Sequence, residues 1–249
     1  MPSRSRKYSD EEKKLVSYHE SGHAILGVKL DNAETVQKVT IVPRGQAGGY
    51  AMMTPDKESF LNTKSQLLDT ITGLLGGRVS EELFIGDVST GAHNDFQKAT
   101  AIARAMVTEY GMSKLGPIQY EKQTGSVFLG RDYMSDKNFS DQVALEIDNE
   151  VRAIIEECYE KAKKLLKEHE LLVHLIATHL MEIETLTKED IYELVETGQL
   201  GWWEKKKAKA EAERIAKEKE QELQDIYKKQ LEAMQQNVND IKKDEEKPQ

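Results

Sequence analysis

The sequence of 249 residues contains a single cysteine, Cys158, so it cannot form an internal disulfide. So little cysteine is typical of a reducing compartment. No run of about 18 uninterrupted apolar residues occurs, which excludes a transmembrane helix within the chain. The first ten residues are polar and charged, so they do not resemble a signal peptide. We therefore expect the chain itself to be soluble.

Positive charge is also scarce relative to negative charge. The chain has 35 basic and 44 acidic residues, a formal net charge of −9. Because an acidic chain has no general attraction for phosphate backbones, nucleic acid is not an expected partner. Neither G-x-x-x-x-G-K-[ST] nor G-x-G-x-x-G occurs, so close helix packing explains the Gly76-Gly77 pair better than phosphate binding does.

Hydrophobic periodicity predicts a mostly α fold with a small β element. Ser9 and Glu12 form a capping box that starts a helix running to about Leu30. The β element is a hairpin across residues 36–54. Further helical periods cover residues 65–84, 95–110, 141–180 with a break near His169, and 188–198. Between these helices, residues 112–140 are irregular apart from the apolar stretch Val127-Phe128-Leu129.

The last segment differs from the rest in composition. Residues 204–249 contain 12 basic and 12 acidic residues, so the net charge of this tail is zero. Its sparse apolar residues include a set spaced 4, 3, 4 and 3 apart: Tyr227, Leu231, Met234, Val238 and Ile241. That spacing suits either a solvated helix or a helix-pairing segment of about two heptads. We predict a folded domain over residues 1–203 and a charged helical or disordered tail over 204–249.

A metal-binding pattern lies on the first predicted helix. His19 and His23 are four residues apart, so their side chains are about 40° apart around the helix and can grip one ion. Glu20 flanks them and can reach a water molecule on that ion without binding the ion itself. A zinc ion lowers the pKa of such a water towards about 7. Glu20 can then take its proton and return it to the leaving amine of a cleaved peptide bond.

Two histidines leave a catalytic zinc ion one protein ligand short. Four residues farther along are candidates for the third ligand: Glu81, Glu82, His93 and Asp95. A carboxylate at a helix start is held by local backbone N–H groups, which slightly favours Asp95. His169, His174 and His179 recur every five residues, about 140° apart on a helix, so they cannot share a metal ion.

The chain resembles the protease domain of the FtsH family of ATP-dependent zinc metalloproteases across about residues 7–200. The motifs that carry the resemblance occur in the family's order: His19-Glu20-Ser21-Gly22-His23-Ala24, Val42-Pro43-Arg44-Gly45, Gly76-Gly77-Arg78-Val79-Ser80-Glu81-Glu82-Leu83, Ser89-Thr90-Gly91-Ala92-His93-Asn94-Asp95, Ala103-Arg104-Ala105-Met106-Val107-Thr108, Tyr110-Gly111-Met112-Ser113, Leu115-Gly116-Pro117 and Glu184-Thr185-Leu186. Departures from the usual pattern are Ser21, His93 and Gly48-Gly49-Tyr50, none of which removes a catalytic group.

The resemblance implies a helical zinc-metallopeptidase domain in which Asp95 is the third ligand and Glu81 supports a ligating histidine. It implies unfolded or membrane proteins as polypeptide substrates, in membrane protein quality control. ATP would act only through an ATPase module that is absent from this chain. The full-length protein would be a homo-hexamer with transmembrane helices, at the cytoplasmic face of a bacterial cell membrane.

A second hypothesis is a non-catalytic scaffold that retains a structural metal ion. Such a domain would be expected to lose Glu20 or a ligand, and a structural zinc site would want a fourth protein ligand. The sequence therefore favours an active zinc endopeptidase.

Overall fold

The computed structural model describes residues 8–43, 48–55, 61–121 and 139–245, with side chains described as far as residue 234. Its internal contacts divide the chain into two compact units, residues 1–198 and 199–249. Within the described part of the first unit the α-helices are α1 (Asp10–Lys29), α2 (Lys64–Phe84), α3 (His93–Thr108), α4 (Asp141–Glu168), α5 (Glu170–Ile183) and α6 (Lys188–Thr197). The predicted class, mostly α with a small β element, is confirmed.

Capping residues explain where several helices start. Ser9 accepts a hydrogen bond from the backbone N–H of Glu12, whose carboxylate accepts one from the Ser9 N–H, so the predicted capping box of α1 is confirmed. Thr63 starts α2 in the same way. The break predicted near His169 is also confirmed, because α4 ends at Glu168 and α5 begins at Glu170.

The β element is a three-stranded antiparallel sheet. Strand β1 (Thr35–Thr40) pairs with β2 (Tyr50–Thr54), which confirms the predicted hairpin. Strand β1 also pairs with β3 (Thr185–Thr187), which the periodicity did not predict. The sheet order is β2-β1-β3, so β2 is an outer strand.

One difference from the sequence prediction concerns the end of α3, whereas the segment beyond it is irregular as predicted, as far as residue 121. Helix α3 ends at Thr108, two residues before the predicted end. Gly111 follows with a positive φ of 60°, and the Met112 N–H donates to the Met106 carbonyl. Residues 112–121 contain no helix or strand. The stretch Val127-Phe128-Leu129 and the pair Arg44-Gly45 lie outside the described residues.

Helix α1 packs against α2 and α5, and α2 also packs against α3 and α4. The α1–α2 contact is close because of two glycines. A Cβ atom on Gly22 would lie 2.3 Å from the Gly76 carbonyl oxygen, and one on Gly76 would lie 2.8 Å from Leu26. Large side chains from both helices are fully buried, including Ile25, Leu26, Ile71 and Leu75. The catalytic motif predicted on α1 is thus rigidly placed against α2.

The second unit contains one long helix, α7 (Gly201–Glu245). Trp202 and Trp203 meet edge to face with ring centroids 5.6 Å apart. Tyr227, Leu231 and Met234 of the predicted seam are exposed, and the side chains of Val238 and Ile241 lie outside the description. None of the helices in the described residues is long and apolar enough to cross a membrane.

Candidate metal centre

The imidazole rings of His19 and His23 on α1 face each other through their Nε2 atoms. The Nε2 atoms of His19 and His23 are 3.2 Å apart, and both residues are largely buried. Each Nδ1 faces an oxygen acceptor instead. The distance is 2.7 Å from His19 Nδ1 to Glu81 Oε1, and 2.9 Å from His23 Nδ1 to the Gly73 carbonyl. Because these partners can only accept, both Nδ1 atoms donate, and both Nε2 lone pairs are left for a metal ion.

Asp95, in the first turn of α3, completes a triangle with the two histidines. Its Oδ2 lies 3.5 Å from the Nε2 atoms of both His19 and His23. Ligands about 2.0–2.1 Å from a tetrahedral zinc ion are expected to lie about 3.3 Å from one another. The three separations therefore match what one small cation requires. These residues form the one such group of three found among the described residues.

Electrostatics at the triangle also favour a cation. Burial opposes the charged form of His19, but hydrogen bonds to Asp95 and Glu81 outweigh it and raise its pKa to about 9. Burial also opposes the charge of Asp95, yet the two histidines hold the pKa of that carboxyl well below its usual range. The acidic groups around the two rings thus favour a positive charge at this position. The donor set fits zinc, which accepts imidazole and carboxylate ligands.

Glu81 contacts the far side of the His19 ring. Its side chain is fully buried and accepts hydrogen bonds from the Ser89 backbone N–H, at 2.7 Å, and from the Ser89 hydroxyl, at 2.8 Å. Burial opposes its charge, but the bonds from His19 and Ser89 lower the pKa of this carboxyl. Ser89 precedes the short 3₁₀ helix Thr90–Ala92, which leads into α3. Glu81 therefore ties the loop before Asp95 to the His19 ring.

The other two candidates for the third ligand lie elsewhere. Glu82 accepts a hydrogen bond from Tyr159 and pairs with Lys163 at 2.8 Å, both on α4. His93 is exposed at the rim of the cleft and does not join the group of three.

Glu20 shares a cleft with this triangle. The cleft has a volume of about 780 Å³ and is lined by residues of α1, α2, β2 and the start of α3. Glu20 is only 5% exposed. Burial raises the pKa of its carboxyl, while the nearby His23 and His19 act in the opposite direction. A carboxylate that is partly desolvated beside a metal site can exchange a proton near neutral pH more readily than an exposed one.

Gly77 is a positioning residue that the sequence did not single out for this site. A Cβ atom on Gly77 would lie 2.4 Å from both Cε1 and Nε2 of His19. Only glycine lets the ring stand against α2 with Nε2 free. The Gly76-Gly77 pair predicted close helix packing, but the sequence did not indicate that the His19 ring packs against Gly77.

The fold and the site together define a class of protein, the helical metallopeptidase domain. In this chain two histidines and an aspartate lie together beside a buried glutamate. The profile of peptidase family M41 matches residues 6–194, so the chain belongs to that family. It is 61% identical over 211 residues to the ATP-dependent zinc metalloprotease FtsH of Acholeplasma laidlawii, covering 85% of this chain and 33% of that protein. The FtsH of Bacillus subtilis is 57% identical over 199 residues, covering 79% of this chain and 31% of that protein. The chain thus spans about a third of the length of these relatives.

Proposed function

We propose that this chain is a zinc-dependent endopeptidase domain whose ion is held by His19, His23 and Asp95. The single observation that carries the proposal is the triangle of three ligand atoms, 3.2 to 3.5 Å apart, in the same cleft as the buried Glu20. When bound, zinc supplies Lewis acidity that lowers the pKa of water and polarises a peptide carbonyl.

The chain's own residues then divide the remaining work. Glu20 takes a proton from the attacking water and delivers it to the leaving amine. Glu81 accepts the Nδ1 proton of His19 and so fixes that ring with Nε2 turned to the ion. The Gly73 carbonyl does the same for His23. Both rings are thereby held as neutral ligands with one defined tautomer.

The geometry supports an active site over a structural one. Three protein ligands are typical of catalytic zinc, and structural zinc sites usually have four. Within the described residues, the group has three members and lies in a cleft of about 780 Å³. The buried Glu20 beside the proposed ligands supplies the general base that a catalytic site requires and a structural site does not.

For the full-length protein we propose coupling to ATP hydrolysis outside this chain. The relatives of which this chain spans about a third are named ATP-dependent. Polypeptide substrates would be unfolded or membrane proteins, delivered by the ATPase module in a homo-hexamer. We propose that the full-length protein is anchored by transmembrane helices at the cytoplasmic face of the membrane.

Substituting Glu20→Gln tests the proposed catalysis. The amide keeps the shape but cannot accept the proton, so we expect less than a few per cent of wild-type peptidase activity with zinc still bound. Cleavage of a fluorescently labelled unfolded protein and zinc per chain are measured on the same samples, with and without a chelator. Activity that persists in the variant, or that survives complete removal of zinc from the wild type, contradicts the proposal.

A further inference from the structure

The carboxylate of Glu20 is held in an unusual way. The residue as a whole is only 5% exposed, and no hydrogen bond to its carboxylate is found from any group in the described residues, so its oxygens keep some access to solvent. Glu20 must accept a proton from water and then donate it to the leaving amine, and a carboxylate without hydrogen bonds can do both. Such a carboxylate can also rotate away from the reacting atoms. Its orientation must then come from the atoms packed around it.

Gly49 provides such a contact. A Cβ atom built on Gly49 would lie 2.8 Å from Glu20 Oε1, 2.7 Å from the Thr40 carbonyl oxygen and 3.0 Å from Val16 Cγ1. The backbone of Gly49 is therefore wedged between strand β1 on one side and the carboxylate on the other. A side chain at this position would crowd the Thr40 backbone carbonyl of β1, and the end of the flexible Glu20 side chain is the group that can most readily give way.

Gly48, the residue before Gly49, is tied to the start of the helix that carries Glu20. The Tyr8 hydroxyl donates a hydrogen bond to the Gly48 carbonyl. Tyr8 immediately precedes Ser9, the capping residue of α1, so its backbone is anchored at the start of that helix. One end of α1 thus holds the chain segment that packs on the carboxylate three turns farther along.

Gly49 also leads directly into the cleft. The next residue, Tyr50, begins the outer strand β2, and both residues line the cleft with Glu20. The same backbone therefore forms a wall of the space where a substrate would lie and a wall against the general base.

We propose that Gly49 is a positioning residue for Glu20, its backbone holding the carboxylate in the orientation for proton transfer while the Tyr8 hydroxyl holds that backbone in place. The inference rests on the proposed peptidase function and goes beyond it by assigning a residue that is neither a ligand nor a base. It concerns kcat rather than zinc binding, since neither Gly49 nor Tyr8 contacts the histidine pair.

The first test is Gly49→Ala in the 249-residue chain. We expect kcat for an unfolded peptide substrate to fall at least 10-fold, with KM within about threefold, because the base is displaced while the cleft stays open. Zinc per chain should remain close to wild type, whereas the thermal unfolding midpoint should fall, because the methyl group also lies 2.7 Å from the Thr40 carbonyl oxygen. A crystal structure of the variant gives a readout independent of turnover, in which the Glu20 carboxylate should be rotated from its wild-type position.

A double-mutant cycle with Glu20→Asp separates positioning from general damage. Removing one methylene draws the carboxylate back by about 1.5 Å and makes room for the alanine methyl group. If Gly49 acts through Glu20, Gly49→Ala should cost at least 10-fold beside Glu20 but less than about twofold beside Asp at position 20. An equal cost in both backgrounds, or a Gly49→Ala variant that keeps more than half of wild-type kcat, overturns the proposal.

Tyr8→Phe serves if Gly49→Ala does not fold. It removes only the hydroxyl that binds Gly48, so we expect kcat to fall two- to fivefold with zinc content unchanged. An unchanged kcat in a folded Tyr8→Phe variant overturns the proposal. Wild-type cleavage that depends on Glu20 and zinc must be observed in the same assay. Its absence would mean that the proposed function fails, irrespective of Gly49.

Discussion

Glu81 and Asp95 are both acidic residues beside His19, but they face opposite nitrogens of its ring. Asp95 lies 3.5 Å from Nε2, and Glu81 lies 2.7 Å from Nδ1. A group on the Nε2 side can bind the ion directly, whereas a group on the Nδ1 side can only orient the ring. Residue type alone does not distinguish these two roles. They differ because Glu81 lies on α2 and Asp95 lies on α3.

This division predicts an order of damage to zinc binding. Asp95→Ala removes one of three ligands, so the purified chain should lose its zinc to a weak chelator. Glu81→Ala should weaken zinc affinity or activity by about 10- to 100-fold, as is usual for a partner of a ligating histidine. His93→Ala should have the mildest effect, because His93 is exposed at the rim.

Zinc per chain after dialysis against the same weak chelator measures all three variants. Glu82→Ala is a matched control, since Glu82 neighbours Glu81 but contacts Tyr159 and Lys163 on α4. A zinc-free Glu81→Ala beside a loaded Asp95→Ala would exchange the two assignments. A zinc-free His93→Ala would make that histidine the ligand.

Local sequence could predict the histidine pair because its geometry is set by one helix. His19, Glu20 and His23 need only the pitch of α1 to be neighbours. The third ligand that we propose, Asp95, needs α3 to approach α1, so local geometry left four candidates open with only a slight preference for Asp95, and the family resemblance selected it. The contact between Gly49 and Glu20 was beyond sequence reasoning, since it joins a residue before β2 to a helix some thirty residues earlier.

At the scale of elements, the contact between α1 and α2 carries the site. His19 and His23 lie on α1, while Glu81, Gly77 and the Gly73 carbonyl lie on α2. The histidine rings can reach their partners only if the two helices approach closely. Gly22 and Gly76 make that approach possible, because each presents bare backbone to the other.

Two glycine substitutions should therefore have opposite effects on stability. Gly22→Ala places a methyl group 2.3 Å from the Gly76 oxygen, and such overpacking should lower the free energy of unfolding by about 1–3 kcal/mol or more. Gly73 also lies within α2, but a Cβ atom there meets nothing within 4 Å. Gly73→Ala should raise stability by about 0.5–1 kcal/mol through helix propensity.

Thermal unfolding followed by circular dichroism compares the two variants with the wild type. At this size about 1 kcal/mol corresponds to a shift of about 2–4 °C. An unfolding temperature of Gly22→Ala at or above that of the wild type would contradict the close contact between α1 and α2, and a lower one for Gly73→Ala would contradict the helix-propensity argument.

The helices that the sequence predicted correctly are those whose signals lie in neighbouring residues. Capping residues and apolar periods located α1, α2 and the break at His169. Strand β3 escaped prediction because it has three residues and exists only through pairing with β1, some 145 positions earlier in the chain. Glu184, in the left-handed conformation with φ 67°, turns the chain from α5 into that strand. No period of two or 3.6 can reveal such a strand.

At the scale of the whole molecule, the described residues that line the cleft all lie between Leu15 and Lys98. All residues to which we assign a catalytic or supporting role lie within or just before that range. In the predicted tail, by contrast, the side chains described from residue 204 to 234 are exposed on α7, and the charge over residues 204–249 is balanced. Catalysis and zinc binding should accordingly be separable from residues 204–249.

Deleting Glu204 to Gln249 tests this separation. We expect zinc per chain and cleavage of an unfolded peptide to stay within about twofold of the full chain. The reason is that the exposed seam of Tyr227, Leu231 and Met234 offers too little buried apolar area to brace the cleft. The measurements are zinc content, kcat/KM and, by light scattering, the molar mass in solution. A large loss of cleavage with zinc retained would show that the tail supports the active site. A lower molar mass after deletion would instead identify the seam as a helix-pairing segment, since two heptads suffice for association only when other contacts assist them.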